Sequence, residues 1–218
     1  DLGSFFGEAP ALPEALPNYP WQNVPFKPEA TAESVDYMFG KSWPLLGYRL
    51  RQDVSAWFNH VDPALLPWLA DHKVEESIVF PAAGYTEMAL RAALRWTGAD
   101  EIELRDFDIL RPLVFDGAET FETQVRISSD DHVVEVMSRP RLAGAEWALN
   151  ARGHYVSAVR KDRTPVLKTG NATLVTLDHA ALYDVTRAFG LRYGPAFQRA
   201  ETVVTHDATT ATVTLKPQ

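Results

Sequence analysis

The sequence contains no cysteine, and this absence excludes several kinds of chemistry. Disulfide bonds, thiolate nucleophiles and cysteine-ligated zinc all need sulfur atoms that these 218 residues do not supply. The histidines show no metal-ligand spacing, so we predict no metal site and place all but one of them at the surface or in turns. The histidines placed in this way are His60, His132, His154, His179 and His206.

Long apolar runs and an excess of basic charge are missing too. No stretch approaches the ~20 apolar residues of a membrane helix, and the first residues do not resemble a secretory signal. Asp and Glu number 29 against 21 Lys and Arg, a net charge of −8, whereas nucleic-acid binders need a basic face. We therefore expect a cytoplasmic protein that binds neither membranes nor nucleic acids. Because the chain begins without methionine, we also expect it to be part of a larger polypeptide.

Residues 1–42 differ from the rest of the chain, because proline recurs through them without any helical or strand period. Disordered linkers are poor in aromatic residues, yet Tyr19, Trp21 and Phe26 lie close together here. We predict an extended linker whose aromatic rings pack on a neighbouring domain. The chain of 218 residues is long enough for one large domain or two small ones with a core, and it is 46% hydrophobic.

A buried helix over residues 82–96 is the clearest secondary-structure prediction. Apolar residues recur there at spacings of three and four, which places them on one face. That face comprises Tyr85, Met88, Ala89, Ala92, Ala93 and Trp96. Upstream of the helix, residues 48–58 and 73–80 have the composition of strands.

Antiparallel strands follow the helix. Residues 119–127 alternate apolar and polar side chains with period two, residues 132–138 form a return strand after a turn, and residues 146–155 alternate again. One helix followed by a meander of strands is an α+β layout in which the sheet wraps the helix.

A second unit of the same kind begins near residue 180, with a short helix and two strands. We therefore divide the chain into the linker 1–42, a first unit 43–160, an exposed connection 161–180 and the start of a second unit 181–218. We expect the second unit to be incomplete within this sequence, because a two-strand remnant is marginal alone.

His72 is the candidate for chemistry because it stands where an apolar segment begins. Apolar neighbours at 74 and 78–80 would desolvate its ring, which disfavours the charged imidazolium and leaves a neutral imidazole able to accept a proton. Asp71 is adjacent, but neighbouring side chains on an extended segment point apart, so we do not expect it to orient the ring. A structural or exposed histidine is the alternative that composition leaves open.

Several motifs occur in the order of one family between residues 43 and 218. The segment from His72 to Pro81 resembles the HxxxGxxxxP motif of polyketide synthase dehydratase domains. The other segments that resemble this family are Trp43-Pro44-Leu45-Leu46-Gly47, Pro67-Trp68-Leu69-Ala70-Asp71-His72, Ala83-Gly84-Tyr85-Thr86-Glu87-Met88-Ala89, Arg111-Pro112-Leu113 and Tyr193-Gly194-Pro195-Ala196-Phe197-Gln198. The run Tyr19-Pro20-Trp21 resembles the linker that follows the acyltransferase domain in these synthases.

The resemblance implies a double hotdog fold, in which a long helix wrapped by an antiparallel sheet occurs twice. It implies that His72 removes the α-proton of a β-hydroxyacyl thioester, while an aspartate of the second unit protonates the departing hydroxyl group. The substrate would be carried on the phosphopantetheine of an acyl carrier protein, with no cofactor bound by the domain itself. Neighbouring synthase domains and a homodimer are the other partners implied.

Two features depart from the family pattern. The motif glycine is Glu76 here, which implies a different turn or a carboxylate near the entrance, because glycine permits a positive φ or a close backbone approach. The family's aspartate motif does not occur through Gln218, since Asp178, Asp184 and Asp207 do not stand in it. We expect the acid to follow Gln218, and a polypeptide that ends there to lack dehydratase activity.

Substrate-binding residues are also implied by the resemblance. Phe80 and Pro81 would line the substrate channel from the first unit, and Tyr193, Gly194 and Pro195 would line it from the second. The structural alternatives are that Phe80 is a core residue, that Pro81 ends a strand and that Gly194-Pro195 is an ordinary turn. For the domain as a whole, the alternatives are a catalytically decayed structural domain of the synthase and an isomerase or cyclase with the same fold.

Overall fold

The structure is a computed structural model that describes residues 4, 5, 7, 44–51, 53–117, 120–157 and 173–216. Apart from positions 4, 5 and 7, the predicted linker of residues 1–42 lies outside the described residues. Residues 158–172, which include much of the predicted connection, lie outside them as well.

The first unit contains one long helix, α1, which spans Ala82–Thr97 and is one residue longer than predicted. Its last residue is followed by Gly98 at a φ of 68°, the left-handed conformation with which glycine ends helices. The strands of this unit within the described residues are β1 (Ala56–Val61), β2 (His72–Val74), β3 (Ser77–Val79), β4 (Glu103–Ile109), β5 (Val114–Phe115), β6 (Phe121–Ser128), β7 (Val133–Pro140) and β8 (Ala148–Val156).

A five-stranded antiparallel sheet in the order β1-β6-β7-β8-β4 packs against α1. The helix contributes the predicted apolar face to the core, because its buried side chains include Tyr85, Met88, Ala89, Ala92 and Ala93. The sixth predicted member, Trp96, is only partly buried, and the Arg49 guanidinium lies 4.9 Å from its ring centre. Burial of this face between helix and sheet is the main favourable contribution to folding.

Strand alternation is confirmed in β6 and interrupted in β8. In β6 the buried residues are Thr123, Val125 and Ile127, which are three of the four predicted inward positions. In β8 the register shifts, so that Asn150 is buried although the predicted alternation placed it outward. Its side-chain amide donates to the backbone oxygen of Arg111 at 3.2 Å. A bulge of this kind inserts one residue into the alternation, which the period-two pattern does not predict.

The prediction of one strand over residues 73–80 is wrong. These residues form the hairpin of β2 and β3, with Glu75 and Glu76 as its two-residue turn. Glutamate gives no turn signal, because residues of such turns are usually glycine, asparagine or aspartate. The predicted strand 48–58 was also too long at its start: β1 begins at Ala56, and Tyr48 contributes one isolated bridge to Phe58.

The second unit begins earlier than predicted. Residues 175–178, which we assigned to the connection, form β9 (Val175–Asp178), and the helix α2 (His179–Ala188) follows at once. The remaining strands described here are β10 (Leu191–Tyr193), β11 (Ala200–Thr205) and β12 (Ala211–Leu215). Strands β12, β11 and β9 form a three-stranded antiparallel sheet in that order.

A four-stranded sheet in the order β10-β2-β3-β5 joins the two units. The edge strand β10 of the second unit pairs with β2 of the first, and Tyr193 lies directly opposite His72. The candidate catalytic residue therefore lies at the junction of the units. In the part of the chain that the structure describes, no helix is long and apolar enough to cross a membrane.

Candidate active site

His72 is held in a defined orientation by the neighbouring strand. Its Nδ1 atom lies 2.7 Å from the backbone oxygen of Val79 in β3. A carbonyl oxygen only accepts hydrogen bonds, so Nδ1 must carry the proton and donate it. In the neutral ring, the lone pair is therefore on Nε2, which is the atom that can accept a proton from another molecule.

Aromatic rings from the second unit contact the His72 imidazole. The ring centre of Tyr193 lies 5.4 Å from it and that of Phe197 lies 4.9 Å from it. Those two rings stack on each other at 6.1 Å, and Trp68 of the first unit lies 6.1 Å from Phe197. We expected chain neighbours such as Val74 to desolvate the imidazole, but Val74 is 39% exposed. Residues that are distant in sequence provide the apolar surroundings.

The segment from Tyr193 to Phe197 is tied to the residue before His72. The backbone oxygen of Asp71 accepts a hydrogen bond from the Gly194 N–H at 2.8 Å, and its carboxylate accepts one from the Ala196 N–H at 2.9 Å. The side chain of Asp71 is thus engaged with Ala196, while the His72 ring donates to a different residue. This arrangement confirms that Asp71 does not orient the imidazole directly.

Gly194 is needed for a close approach and not for its backbone freedom. Its φ of −88° is open to any residue. A Cβ at this position would lie 2.9 Å from the Cβ of Asp71 and closer still to the Asp71 carboxylate. Pro195, the next residue, is exposed and opens the short 3-10 turn Pro195–Phe197. Of the three candidate substrate-binding residues in this motif, Tyr193 is the one whose side chain meets the His72 ring.

The turn after β2 accommodates Glu76 at the position of the family's motif glycine. The positive φ in this turn, 53°, is at Glu75, and Glu76 is outside the left-handed region. The carboxylate of Glu76 forms an ion pair with Arg192 of β10. A glutamate at the motif-glycine position therefore brings no backbone strain, and it adds a contact between the two units. Gly190 accommodates the neighbouring Glu75 side chain, whose Cδ would lie 3.0 Å from a Cβ there.

We expect the Glu76–Arg192 ion pair to contribute little to stability, because its side chains are 77% and 47% exposed. The substitution Glu76→Ala should lower the free energy of unfolding by about 1 kcal/mol or less, and Glu76→Gly should leave any activity within about twofold. Chemical denaturation at low and high salt would check this, with Arg192→Ala completing a double-mutant cycle. A coupling free energy well above about 1 kcal/mol that persists in high salt would contradict it.

Phe80 and Pro81 stand between β3 and α1. Phe80 is 3% exposed, and its ring packs edge-on against Tyr85 at 4.8 Å. A Cβ at Gly84 would lie 2.6 Å from the Phe80 ring, so glycine is needed where the ring crosses the first turn of the helix. Pro81 is buried and caps the N-terminus of α1. These contacts place Phe80 in the hydrophobic core, and a channel-lining role for either residue stays a prediction.

Leu113 fastens this corner through both of its backbone groups. The Phe80 N–H donates to its oxygen at 2.8 Å, and its own N–H donates to the Tyr85 hydroxyl at 2.9 Å. Burial raises the pKa of Tyr85 to about 12, against the opposing effect of the Leu113 N–H. The Arg111-Pro112-Leu113 motif thus positions the end of β3, next to the residue whose oxygen receives the His72 hydrogen bond.

The variant Tyr85→Phe should be less stable than the parent by about 1–2 kcal/mol near neutral pH, because the Leu113 N–H loses its acceptor. The folded pKa of about 12 exceeds the unfolded value near 10, so the stabilisation is complete below pH ~10 and is lost as pH rises through ~12. The parent should therefore lose up to about 2–3 kcal/mol relative to the variant over this range, so that the stability gap closes and then reverses. Urea unfolding at pH 8 and pH 11.5 would measure it, and an unchanged gap would contradict it.

The carboxylates considered for an acid have local partners. Asp178 accepts from the Ala181 N–H as the N-cap of α2, and Asp184 pairs with Arg187 at 2.7 Å. Hydrogen bonds from Thr209 hold the pKa of Asp207 below its usual range. The described residues contain no group of three or more His, Cys, Asp or Glu that could hold a metal ion.

Three site residues were missed by sequence reasoning, namely Phe197, Trp68 and the carboxylate of Asp71. Phe197 and Trp68 both lie in segments that resemble the family, and that resemblance was the only signal available for them. The contacts of Phe197 with His72 and with Trp68 join the two units, as does the pairing of β2 with β10, and no local pattern predicts them. The hydrogen bond from Ala196 to Asp71 joins residues 125 positions apart.

The fold and the site together define a class of protein. A long helix wrapped by an antiparallel sheet, joined through a shared sheet to a second helix-and-strand unit, is a double hotdog fold, as the family resemblance implied. Similar solved structures include the dehydratase domain of the polyketide PpsC from Mycobacterium tuberculosis, with a TM-score of 0.63 and 26% identity over 81% of this chain and 64% of that one. The dehydratase domain from the CurJ module of the curacin polyketide synthase has the same fold, with a TM-score of 0.64, 24% identity and coverage of 75% and 58%.

Residues 43–139 match the family described as the polyketide synthase dehydratase domain. A phenolphthiocerol/phthiocerol polyketide synthase of Mycobacterium tuberculosis is 32% identical over 200 residues, which are 87% of this chain and 11% of that protein. A PKS-NRPS hybrid synthetase of Aspergillus fumigatus is 40% identical over 131 residues, which are 56% of this chain and 3% of that protein. The chain therefore spans about a tenth or less of these curated relatives.

Proposed function

We propose that the chain contributes the catalytic base of a dehydratase domain, which eliminates water from a β-hydroxyacyl thioester to give an α,β-unsaturated thioester. The observation that carries the proposal is the hydrogen bond from His72 Nδ1 to the Val79 oxygen. It directs the free lone pair to Nε2 and fixes the plane of the ring. The match of residues 43–139 to the dehydratase family supports the same reaction.

In the proposed reaction, Nε2 of His72 takes the α-proton of the substrate. The electron pair of that C–H bond forms the new carbon–carbon double bond, the C–O bond at the β-carbon breaks, and the hydroxyl group takes a proton from an acid and leaves as water. The imidazolium that results then returns its proton to solvent. General-base catalysis of this kind contributes about 10²–10⁴-fold to a rate, so the base is a principal catalytic group.

Two features of the site suit this chemistry. Negative charge develops on the thioester oxygen as the α-proton departs. The first residue of α1 is Ala82, which is three residues after Val79 in the chain. The positive end of a 16-residue helix favours such charge. The rings of Tyr193 and Phe197 also place apolar surface against the imidazole, and a less polar environment strengthens electrostatic interactions at the site.

The proposal includes an acid from the second unit, expected as an aspartate outside the described residues. The PpsC dehydratase domain is longer than this chain, which covers 64% of it. Phe80, Pro81, Tyr193, Gly194 and Pro195 are proposed as substrate-lining residues, of which Tyr193 is best supported by its contact with His72.

The substrate would reach the site on the phosphopantetheine arm of an acyl carrier protein, and the domain would bind no cofactor of its own. The curated relatives are large synthases, and on that ground we propose neighbouring synthase domains as physical partners. A homodimer within the synthase and a cytoplasmic location complete the proposal.

The test is an elimination assay on the full-length polypeptide that contains this chain. It would be incubated with a β-hydroxyacyl thioester on an acyl carrier protein, and the bound acyl group would be followed by mass for the loss of one water. A substrate with deuterium at the α-carbon should lose its label together with the hydroxyl group. Transfer of the label to solvent without elimination would identify a working base without its acid.

Three outcomes would overturn the proposal. A folded protein that leaves the substrate unchanged would support a structural domain of the synthase. Products of unchanged mass with a moved double bond or a new ring would support an isomerase or a cyclase. Loss of water that does not require His72 would exclude it as the base.

A further inference from the structure

The Asp71 carboxylate bonds to the segment that carries the two rings on His72. The main-chain oxygen of Asp71 accepts a hydrogen bond from the Gly194 N–H at 2.8 Å. The side-chain carboxylate of Asp71 accepts one from the Ala196 N–H at 2.9 Å. Tyr193 immediately precedes the first donor, and Phe197 immediately follows the second. Each of the two residues whose rings contact the imidazole is therefore the chain neighbour of a residue that is hydrogen-bonded to Asp71.

The fit between Asp71 and this segment is close. A hydrogen atom is the only side chain that position 194 can carry without displacing the Asp71 carboxylate, because a Cβ would lie 2.9 Å from the Asp71 Cβ and nearer to the carboxylate. A contact this tight transmits the position of Asp71 to Gly194 directly. Since Asp71 immediately precedes His72 in the chain, the backbone that carries the base also positions its aromatic partners.

The second unit holds the other side of the same segment. The Tyr183 hydroxyl of α2 donates to the Phe197 oxygen at 3.2 Å and accepts from the Ala200 N–H at 3.0 Å. The Gln198 side chain donates to the Tyr193 oxygen at 2.6 Å. The segment is therefore held by hydrogen bonds from its own unit on one side and by Asp71 of the first unit on the other.

We propose that Asp71 is a positioning residue for His72, which fixes the Tyr193–Phe197 segment so that its two rings define the place and the apolar surroundings of the imidazole. The inference rests on the proposed function, because it concerns the same base. It differs from a role in orienting the ring through a direct hydrogen bond, since Val79 has that role. Misplacement of a catalytic group by about 1 Å can cost about 10²-fold in rate, so loss of this carboxylate should affect catalysis more than stability.

The test compares three variants. Asp71→Ala removes the acceptor for the Ala196 N–H, and Asp71→Asn retains an acceptor oxygen of nearly the same size and position. Asp62→Ala is the matched control, because the Asp62 carboxylate also accepts a backbone N–H, from Leu65 at 2.7 Å, and makes no bond to the 193–198 segment in the described contacts. Circular dichroism and thermal unfolding would establish that each variant is folded.

The first measurement is independent of activity. In the 218-residue chain labelled with ¹³C and ¹⁵N in histidine, the ring protons of His72 should carry a ring-current shift from Tyr193 and Phe197. The His72→Phe variant would assign the signal. We expect Asp71→Ala to lose the shift, and both Asp71→Asn and Asp62→Ala to keep it.

The second measurement is the elimination rate of the full-length polypeptide. We expect Asp71→Ala to lower kcat by about tenfold or more with KM within about twofold, and Asp71→Asn to recover the rate to within about threefold. The inference is overturned if Asp71→Ala keeps the ring-current shift, if Asp71→Asn fails as badly as Asp71→Ala, or if Asp62→Ala loses as much rate. If the parent protein eliminates no water, the proposed function fails and the ring-current measurement alone decides whether Asp71 positions the rings.

Discussion

Replacing His72 by phenylalanine is expected to reduce water elimination by about 10²–10⁴-fold while the protein stays folded. Phenylalanine has a ring of similar shape but no nitrogen, so it can occupy the space beside Tyr193 and Phe197 without accepting a proton. The variant also loses the hydrogen bond to the Val79 oxygen, which should cost about 1 kcal/mol of stability. Single-turnover mass measurement on the carrier-bound substrate would give the rate directly.

The matched control for this substitution is His154→Phe. His154 lies on β8 of the large sheet and is exposed, so the same change of side chain there should leave the rate within about twofold. Thermal unfolding of both variants would separate loss of the base from loss of the fold. A His72→Phe protein that is folded and eliminates water at more than about a tenth of the parent rate would rule out His72 as the base.

Gly194→Ala is expected to produce the second largest effect, a fall of about 10–100-fold in the elimination rate together with a loss of about 1–3 kcal/mol in stability. The added methyl group would overlap the Asp71 carboxylate, and its Cβ would lie 2.9 Å from the Asp71 Cβ. Either the segment from Tyr193 to Phe197 or the backbone before His72 must then move. Steady-state kinetics and urea unfolding on the same preparation would give both quantities.

Gly144→Ala provides the comparison for Gly194→Ala. Gly144 has a φ of 60°, and a Cβ at this position would have no atom within 4 Å, so alanine there should cost about 1 kcal/mol through backbone strain alone. That variant should lose stability without losing rate. Equal losses of rate in the two glycine variants would show that the effect at position 194 is a general consequence of destabilisation.

Helix α1 could be predicted almost to the residue because its signal is local. Its apolar residues repeat with the period of one turn, and five of the six predicted face residues are buried. The strands β6 and β8 were predicted for the same reason, although the bulge at Asn150 was not. In each case the burial of one face against a neighbour imposes a pattern on consecutive residues.

The hairpin of β2 and β3 could not be predicted, because its turn is formed by Glu75 and Glu76. A positive φ at a glutamate is unusual, and here the carboxylate of the next residue pairs with Arg192 of another strand. The Glu76–Arg192 ion pair, which joins distant parts of the chain, thus accompanies a turn that the local sequence does not predict. Strand β4 (Glu103–Ile109) was not predicted either, because its charged sequence gives little local indication of a strand.

The candidate site could be predicted in part. His72 was identified by its place at the start of an apolar segment and Tyr193 by the family resemblance, and the two residues lie together. Phe80, which the resemblance assigns to the channel, packs in the core. The tautomer of His72 depends on the Val79 oxygen, and the apolar surroundings depend on Phe197. The tautomer and the apolar surroundings therefore depend on which strands pair, and no local sequence pattern predicts that pairing.

The pairing of β2 with β10 has a consequence for the order of folding. The hydrogen bond from Ala196 to Asp71 closes a loop of 125 residues, and contacts of such long sequence separation form late because closing a long loop costs entropy before any contact compensates. During synthesis, His72 emerges long before Tyr193 and Phe197 exist to cover it. The proposed base therefore acquires its surroundings only when both units have folded, so that an unfinished chain carries His72 without the rings that contact it.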